Sequence, residues 1–257
     1  MGCLFECFKK NKGKKKKVNK SSNIEIELDL IKDNEIKTIK YNDKNIALIT
    51  ESKVGFYNAG GSCYIASIIQ ILIHLRNFIE IFLRNRRKNT LYKIFSNLLT
   101  QIINSEDAIE ITEFSNEYNK INEKFSGNKG NNPMTFFNEF IHQLDPKNND
   151  ISDLFTGKSL IQFQGSDEED YEENFIFFMI CLDSNYRNIE QAIHSEKRME
   201  GEKDVKILSK IILKPQIFVI NLEVDDLEYH FEQNIQIDGT IYELKAINEY
   251  NDFHSKV

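Results

Sequence analysis

The middle of the chain has the hydrophobic pattern of a helix. Its isoleucines and leucines recur every three or four residues, the spacing that places side chains on one helix face. These residues are Ile65, Ile68, Ile69, Leu72, Leu75 and Ile79. The pattern predicts a helix from Cys63 to about Leu83, with Arg84 suited to its C-terminal end. Two further helices are predicted at about residues 91–103 and 135–144.

Alternating or continuous apolar runs predict strands on both sides of these helices. Residues 24–28 alternate between apolar and acidic side chains, and the apolar run 46–49 follows a turn-like segment, so one or two strands are expected between residues 23 and 50. Strands are also predicted from Lys158 onward, and the unbroken apolar run 175–182 is typical of a buried strand. This order indicates an α+β fold, with an N-terminal helical subdomain followed by an antiparallel sheet.

Composition indicates a globular chain with an uneven distribution of charge. The 257 residues are 40% hydrophobic and 28% charged, which suffices for one sizeable core. Residues 1–20 hold eight lysines and one acid, Glu6, a net charge of +7; since the whole chain carries −7, the remainder carries −14. Such an acidic body repels phosphate, so nucleic acid is not an expected partner. Four cysteines without a Cys-x-x-Cys pair indicate no disulfide framework and a cytoplasmic location.

The lysine-rich start of the chain predicts a disordered tail over residues 1–22, because it has too little apolar surface to fold. Gly2 is a candidate for myristoylation, and Cys3 and Cys7 are candidates for palmitoylation. The lysines that follow attract anionic lipid by about 1 kcal/mol each. Glu6 departs from the Ser or Thr of the myristoylation pattern. We expect peripheral association with the cytoplasmic face of a membrane; the alternative is a tail that only solubilises the chain.

Cys63 is the strongest candidate for chemistry. It stands between a glycine-bearing turn, residues 55–62, and the long predicted helix. A thiol at a helix N-terminus feels the positive end of the peptide dipole and unpaired N–H groups, which favour the thiolate and make it more nucleophilic. A lone cysteine is more often a small buried hydrophobic residue, and Cys181, inside its apolar run, fits that description. Cys63 is therefore the predicted nucleophile.

The segment around Cys63 resembles the cysteine motif of the ubiquitin-specific protease family, G-L-x-N-x-G-N-T-C-Y-x-N-S-x-x-Q-x-L. The matching residues are Gly55, Asn58, Gly60, Cys63, Tyr64, Ser67, Gln70 and Leu72, and the departures are Gly61, Ser62 and Ala66. In these papain-like cysteine peptidases the cysteine attacks the carbonyl at the C-terminus of ubiquitin, and the asparagine five residues earlier helps to hold the oxyanion. The resemblance thus implies catalytic roles for Cys63 and Asn58, and ubiquitin or ubiquitinated proteins as partners.

Weaker matches extend along the chain. Residues 133–141 resemble the family's D-A-x-E-F-L-x-x-L helix, and residues 153–157, 214–222 and 242–247 resemble its D-L-F-x-G, L-P-x-x-L-x-x-x-L and Y-x-L-x-A-V-I segments. The resemblance implies a papain-like cysteine peptidase fold. We divide the chain into the basic tail (1–22), N-terminal strands or a linker (23–54) and the catalytic domain (55–257). The family's zinc-binding Cys-x-x-Cys pairs are missing from the sequence, so neither a metal nor another cofactor is expected.

A thiol protease also needs an imidazole within hydrogen-bonding reach of the sulfur. His74, eleven residues after Cys63 on the predicted helix, would lie about 16 Å away and is excluded. The family places its histidine shortly after the strand that residues 242–247 resemble, which implies His254 as the base. The other histidines are His142, His194 and His230. The family's further strands and its Asp or Asn that orients the imidazole would follow Val257, so we expect a C-terminally incomplete domain.

Three functions remain open from the sequence. The leading hypothesis is a deubiquitinating thiol hydrolase that cleaves (iso)peptide bonds at the C-terminus of ubiquitin, with Cys63, Asn58 and His254 as catalytic residues. The alternative is a catalytically inactive pseudo-protease that binds ubiquitin or acts as a membrane scaffold. A third reading is a general papain-like peptidase, because residues 61–64 also resemble the C-G-S-C-W motif and His194 lies far downstream. Reaction of Cys63 with a ubiquitin electrophile distinguishes the first two hypotheses.

Overall fold

The computed structural model describes residues 2–10, 26–32, 35–41, 43–57, 61–84, 89–125, 131–144, 146, 149–165, 167–182, 188–193, 196–198, 206–224, 232–250 and 255–256. The helices are α1 (Asp43–Thr50), α2 (Cys63–Ile73), α3 (Arg76–Arg84), α4 (Thr90–Asn104), α5 (Thr112–Ile121), α6 (Pro133–Leu144) and α7 (Ile189–Ile193). The strands are β1 (Gly2–Lys10), β2 (Ile26–Lys32), β3 (Glu35–Tyr41), β4 (Phe56–Tyr57), β5 (Ile109–Glu110), β6 (Gly157–Gln164), β7 (Tyr171–Phe175), β8 (Phe178–Leu182), β9 (Glu196–Arg198), β10 (Lys206–Leu213), β11 (Ile217–Val224), β12 (Asn234–Ile237), β13 (Thr240–Tyr250) and β14 (Ser255–Lys256). Short 3₁₀ helices occupy Glu123–Phe125 and Ser152–Leu154.

The chain forms two compact units. The helical unit comprises Lys14–Ile151 and Phe253–Val257, and the sheet unit comprises Met1–Gly13 and Ser152–Asp252. These boundaries differ from the predicted divisions after residues 22 and 54. The predicted N-terminal strands are present as the hairpin β2–β3, and this hairpin and helix α1 pack on α3 and α4 within the helical unit.

The helical unit is built around buried aromatic rings. Helix α2 packs on α3 and α6, and α4 packs on α1, α5 and α6. The rings that meet beneath α2 belong to Tyr64, Tyr118, Phe125, Phe136 and Phe140, and all of them are buried. Such rings bury large apolar areas and prefer the edge-to-face and offset arrangements seen here. This core fixes the position of the helix that begins at Cys63.

Two of the predicted helices are confirmed, and each begins at an asparagine cap. The Tyr92 N–H donates to Asn89 Oδ1 over 2.6 Å at the start of α4. The Met134 N–H donates to Asn132 Oδ1 over 2.8 Å at the start of α6, where Pro133 occupies the first helical position. Capping satisfies backbone donors that have no partner inside the helix, and proline at the first position loses none of these bonds.

Two predicted elements are wrong. The single helix from Cys63 to Leu83 is two helices, α2 and α3, whose axes differ by 88°. The break at His74 and Leu75 contains neither glycine nor proline, so the periodicity did not reveal it. Residues 46–49, predicted as a strand, lie in helix α1, because a short apolar run fits either structure.

In the described part of the chain, no single helix is long and apolar enough to cross a membrane.

The described residues of the sheet unit form two sheets. One has the strand order β12-β13-β1-β11-β8, and the other has the order β7-β6-β10-β9. Neighbouring strands are antiparallel except for the parallel pair β11 and β8, so the predicted antiparallel sheet is only partly correct. The buried core of the first sheet is formed by Ile180, Ile189, Ala192, Ile193, Ile211, Phe218, Ile220, Leu222, Ile235, Ile237 and Tyr242.

Strand β1 corrects the prediction of a disordered tail for residues 2–10. It pairs with β11 on one side, from Gly2 opposite Val224 onward, and with β13 on the other, from Cys3 opposite Tyr250 onward. A strand with neighbours on both sides has its backbone groups paired, which local composition cannot reveal because the partners lie more than 200 residues later in the chain. Residues 11–22 of the predicted tail lie outside the described residues.

Candidate active site

The turn before α2 has a specific backbone conformation. Gly61 has a φ of 72°, in the left-handed region that favours glycine. Ser62 follows as the N-cap residue, and its carbonyl accepts the first helical bond, from the Ala66 N–H over 2.9 Å. Cys63 is therefore the first residue of α2. The backbone N–H groups of the first helical turn have no intrahelical acceptor, so this end of α2 favours negative charge at or near the cysteine.

Cys63 and the next residue have opposite environments. The Cys63 thiol is half-buried and is not in a disulfide. Tyr64 is only 2% exposed and packs against Phe125 and Phe136, with ring centroids 6.0 Å and 5.8 Å away. Burial raises the pKa of the Tyr64 phenol, and a hydrogen bond with the Asn131 side chain partly offsets this rise. Tyr64 thus stays neutral and anchors the first turn, while Cys63 remains accessible.

The segment that leads toward Asn58 is bonded on one side to a short strand. Strand β4 pairs in parallel with β5, and the Ile109 N–H donates to the Gly55 carbonyl over 3.0 Å. Just after β5, the Ile111 N–H donates to the Tyr57 carbonyl over 3.5 Å. The backbone of residues 55–57 is thereby tied to the start of α5.

The residues just before this segment, Thr50 and Val54, are bonded to Gln70 of α2 and to His74, the C-cap residue of that helix. Gln70 Nε2 donates to the Val54 carbonyl over 3.3 Å and lies 3.0 Å from His74 Nε2. His74 Nδ1 lies 2.9 Å from the Thr50 carbonyl oxygen. The sequence indicated Gln70 only as a motif match, and it excluded His74 as the base because of its distance from Cys63 along the predicted helix. Contacts between residues so far apart in sequence leave no periodic signal, so these hydrogen bonds could not be predicted.

Of the three predicted catalytic residues, the structure describes only Cys63. Asn58 and His254 lie outside the described residues, and so do His194 and His230. The strand that follows His254 directly, β14, belongs to the helical unit and approaches α2 to within 8 Å, measured between Cα atoms. His142 is exposed on α6. No group of three or more metal-ligating side chains occurs in the described ranges.

A half-buried cysteine at the start of a core helix, followed in the chain by a mainly antiparallel sheet, fits the papain-like α+β fold of cysteine peptidases. The model of the ubiquitin carboxyl-terminal hydrolase family matches residues 54–245, so the chain belongs to this family. Family membership implies hydrolysis at the carboxyl terminus of ubiquitin in general, with ubiquitin or ubiquitinated proteins as partners. No curated protein matches the chain.

The conformation of Gly61 explains one departure from the family's cysteine motif. The motif has asparagine where this chain has Gly61. Asparagine is, after glycine, among the residues that most readily adopt the left-handed conformation. The φ of 72° at Gly61 therefore suits both residues, and the substitution preserves the turn that presents Cys63.

Proposed function

We propose that the chain is a deubiquitinating thiol hydrolase in which Cys63 is the nucleophile, Asn58 an oxyanion donor and His254 the general base. The observation that carries the proposal is the position of Cys63, half-buried at the first residue of α2, inside the region that belongs to the family. The helix dipole and the N–H groups at that end stabilise the negative charge that develops during attack.

The proposed reaction has two stages. In the first, Cys63 Sγ attacks the carbonyl carbon at the C-terminus of ubiquitin, and His254 accepts the thiol proton. A C–S bond forms, and the charge on the carbonyl oxygen is held by the Asn58 amide and the N–H groups at the start of α2. The C–N bond then breaks, His254 returns the proton to the leaving amine, and a thioester remains. In the second, His254 deprotonates water, which attacks the thioester and releases ubiquitin and the thiol.

The assignment of His254 is supported by its neighbour in the chain. Strand β14 begins at the next residue, Ser255, and approaches α2 within the helical unit. A histidine at this point of the chain is therefore close in sequence to a segment that lies beside the helix of Cys63. His74, by contrast, already uses both ring nitrogens in hydrogen bonds at the other end of α2.

Hydrolysis of ubiquitin carrying a fluorogenic amide at its C-terminus tests these roles. Asn58→Ala should lower kcat by about 100-fold or more, as removal of one oxyanion donor does elsewhere. His254→Ala should lower kcat/KM by about 100-fold or more, as expected for a general base. His142→Ala, on the exposed face of α6, is the control and should match the wild type. Undiminished turnover in His254→Ala would rule out this base; saturable ubiquitin binding without turnover by the wild type would favour the pseudo-protease.

We also propose peripheral membrane association through acylation at Gly2, Cys3 or Cys7 and attraction of the lysine run to anionic lipid. A single acyl chain gives only marginal membrane binding, so loss of one attachment point should release the protein. Gly2→Ala should therefore shift the protein from the membrane to the supernatant fraction. A wild-type protein whose mass shows no lipid and that stays in the supernatant would contradict the proposal.

A further inference from the structure

Gln70 of α2 and His74, the C-cap residue of that helix, form a continuous hydrogen-bonded tether to the segment that precedes Asn58. We define the tether as Gln70 and His74 together with the carbonyl groups of Thr50 and Val54. His74 Nδ1 lies 2.9 Å from the Thr50 oxygen, Gln70 Nε2 lies 3.0 Å from His74 Nε2, and Gln70 Nε2 lies 3.3 Å from the Val54 oxygen. The partners of the backbone carbonyls thus come from the helix that begins at Cys63 and from the residue that caps its C-terminal end.

The directions of these hydrogen bonds follow from the chemistry of the groups. A carbonyl oxygen only accepts, so His74 Nδ1 must carry a proton and donate to Thr50. In the neutral imidazole Nε2 is then an acceptor, and it takes one hydrogen of the Gln70 amide. The other hydrogen of that amide goes to Val54. Reversing the amide would place Gln70 Oε1 against the Val54 oxygen, so only one arrangement satisfies every group.

The carbonyls held by the tether need partners. Thr50 is the last residue of α1, and the final carbonyls of a helix have no intrahelical donor. Val54 is only 5% exposed, so its backbone has little access to water. Past Val54 the chain is bonded to β5, through the Ile109 N–H and the Gly55 carbonyl. Residues 50–57 are therefore held from two sides, and Asn58 is the next residue after β4.

We propose that Gln70 and His74 are positioning residues for the oxyanion donor Asn58. The helix that presents Cys63 at its first residue also fixes, through the tether, the backbone that leads to Asn58. Cys63 and the backbone as far as Tyr57 are thereby both held by α2. This inference rests on the proposed function, because it presumes that Asn58 stabilises an oxyanion during ubiquitin hydrolysis.

Kinetic measurements can distinguish residues that position Asn58 from residues that only stabilise the fold. An oxyanion donor acts only when charge develops on the carbonyl oxygen, so its displacement lowers kcat and leaves substrate binding unchanged. Alkylation of Cys63 by iodoacetamide forms no oxyanion and should be insensitive to the tether. A general loosening of the fold would instead change the alkylation rate and the unfolding midpoint together.

The test compares Gln70→Leu, His74→Phe and the conservative His74→Asn, in full-length protein, by hydrolysis of a ubiquitin C-terminal fluorogenic amide. Gln70→Leu and His74→Phe should lower kcat by about 10-fold or more with KM unchanged, the scale expected for a misplaced catalytic group. His74→Asn keeps a donor near the Nδ1 position and should recover most of the lost kcat. Gln101→Leu removes a comparable surface hydrogen bond, to Glu113 on α5, and should behave as the wild type.

The alkylation rate of Cys63 should stay at the wild-type value in all these variants. The unfolding midpoint should fall in Gln70→Leu and His74→Phe, because each leaves a backbone carbonyl without its donor. Wild-type kcat in Gln70→Leu and His74→Phe would overturn the positioning role alone. A kcat that falls together with alkylation and the unfolding midpoint, without recovery in His74→Asn, would show a structural role and also overturn it. A wild-type protein without turnover would overturn the proposed function, and the positioning role with it.

Discussion

The hydroxyl of Tyr242 donates a hydrogen bond to the carbonyl of Pro215 over 2.9 Å, which joins β13 to the residues just before β11. Tyr242 is 1% exposed and lies in the core of the sheet unit. Burial raises the pKa of its phenol to about 12. Both residues belong to segments that resemble family strands, so these two motifs meet in the structure at one buried hydrogen bond.

Tyr242→Phe should destabilise the protein at neutral pH by about 1–2 kcal/mol, because the buried Pro215 carbonyl loses its donor. The pH dependence has a definite sign. The folded state keeps the proton up to a pKa of about 12, whereas the unfolded phenol loses it near 10, so the stability due to Tyr242 is complete below pH 10 and declines as the pH rises toward 12. Denaturant unfolding at pH 8 and pH 11 measures this: stability should fall less with pH in Tyr242→Phe. Equal falls in both proteins would contradict the prediction.

Gly157→Ala should destabilise the sheet unit by about 1–3 kcal/mol through overpacking. A Cβ at Gly157 would lie 2.2 Å from Phe175 Cζ, and the Phe175 ring is itself packed against Phe178 and Phe218. Gly55→Ala is the matched control, since a Cβ there meets no atom within 4 Å. Thermal unfolding should separate the two variants. Equal melting temperatures would contradict the prediction, because they would mean that the Phe175 ring moves aside without loss of stability.

Gly61→Ala should lower the reactivity of Cys63, because alanine is strained at a φ of 72° by about 1 kcal/mol and would shift the turn before α2. Gly61→Asn tolerates the same conformation and should keep wild-type reactivity. The rate of labelling by a ubiquitin C-terminal electrophile measures both. If labelling of Gly61→Asn were as slow as that of Gly61→Ala, the left-handed conformation would not be the reason for glycine at this position.

Glu6→Pro should destabilise the sheet unit by about 3 kcal/mol or more, since Glu6 lies in the middle of β1 and proline removes a ladder donor. Glu6→Ala keeps the backbone donor and is the control. Denaturant unfolding of the two variants provides the measurement. If residues 2–10 formed a disordered tail, Glu6→Pro and Glu6→Ala would unfold at the same denaturant concentration.

The parts of the fold that depend on local signals could be predicted from the sequence. Helices α4 and α6 have helical periodicity and begin at asparagine caps, Asn89 and Asn132. The parts that depend on distant contacts could not be predicted. Strand β1 is formed by pairing with β11 and β13 at the opposite end of the chain. The bend between α2 and α3 occurs where His74 bonds to Thr50, without a residue that breaks helices.

In the candidate site, too, the features that depend on local sequence could be predicted and those that depend on distant contacts could not. Cys63 could be assigned because its glycine-bearing turn and the apolar helix after it are contiguous in the sequence, and the structure has it as the first residue of α2. The tether of Gln70 and His74 to Val54 and Thr50 joins residues 16 and 24 positions apart, and no local pattern encodes it. The catalytic roles of Cys63, Asn58 and His254 stay predictions.

Labelling of the full-length protein by ubiquitin with a C-terminal electrophile tests the central claim most directly. The wild type should gain the mass of one ubiquitin, Cys63→Ser should gain none, and Cys181→Ser should label like the wild type, since only Cys63 begins a helix of the family's cysteine motif. Circular dichroism establishes that each sample is folded. A folded wild type that binds ubiquitin yet is never labelled at Cys63, or labelling that survives Cys63→Ser, would contradict the account.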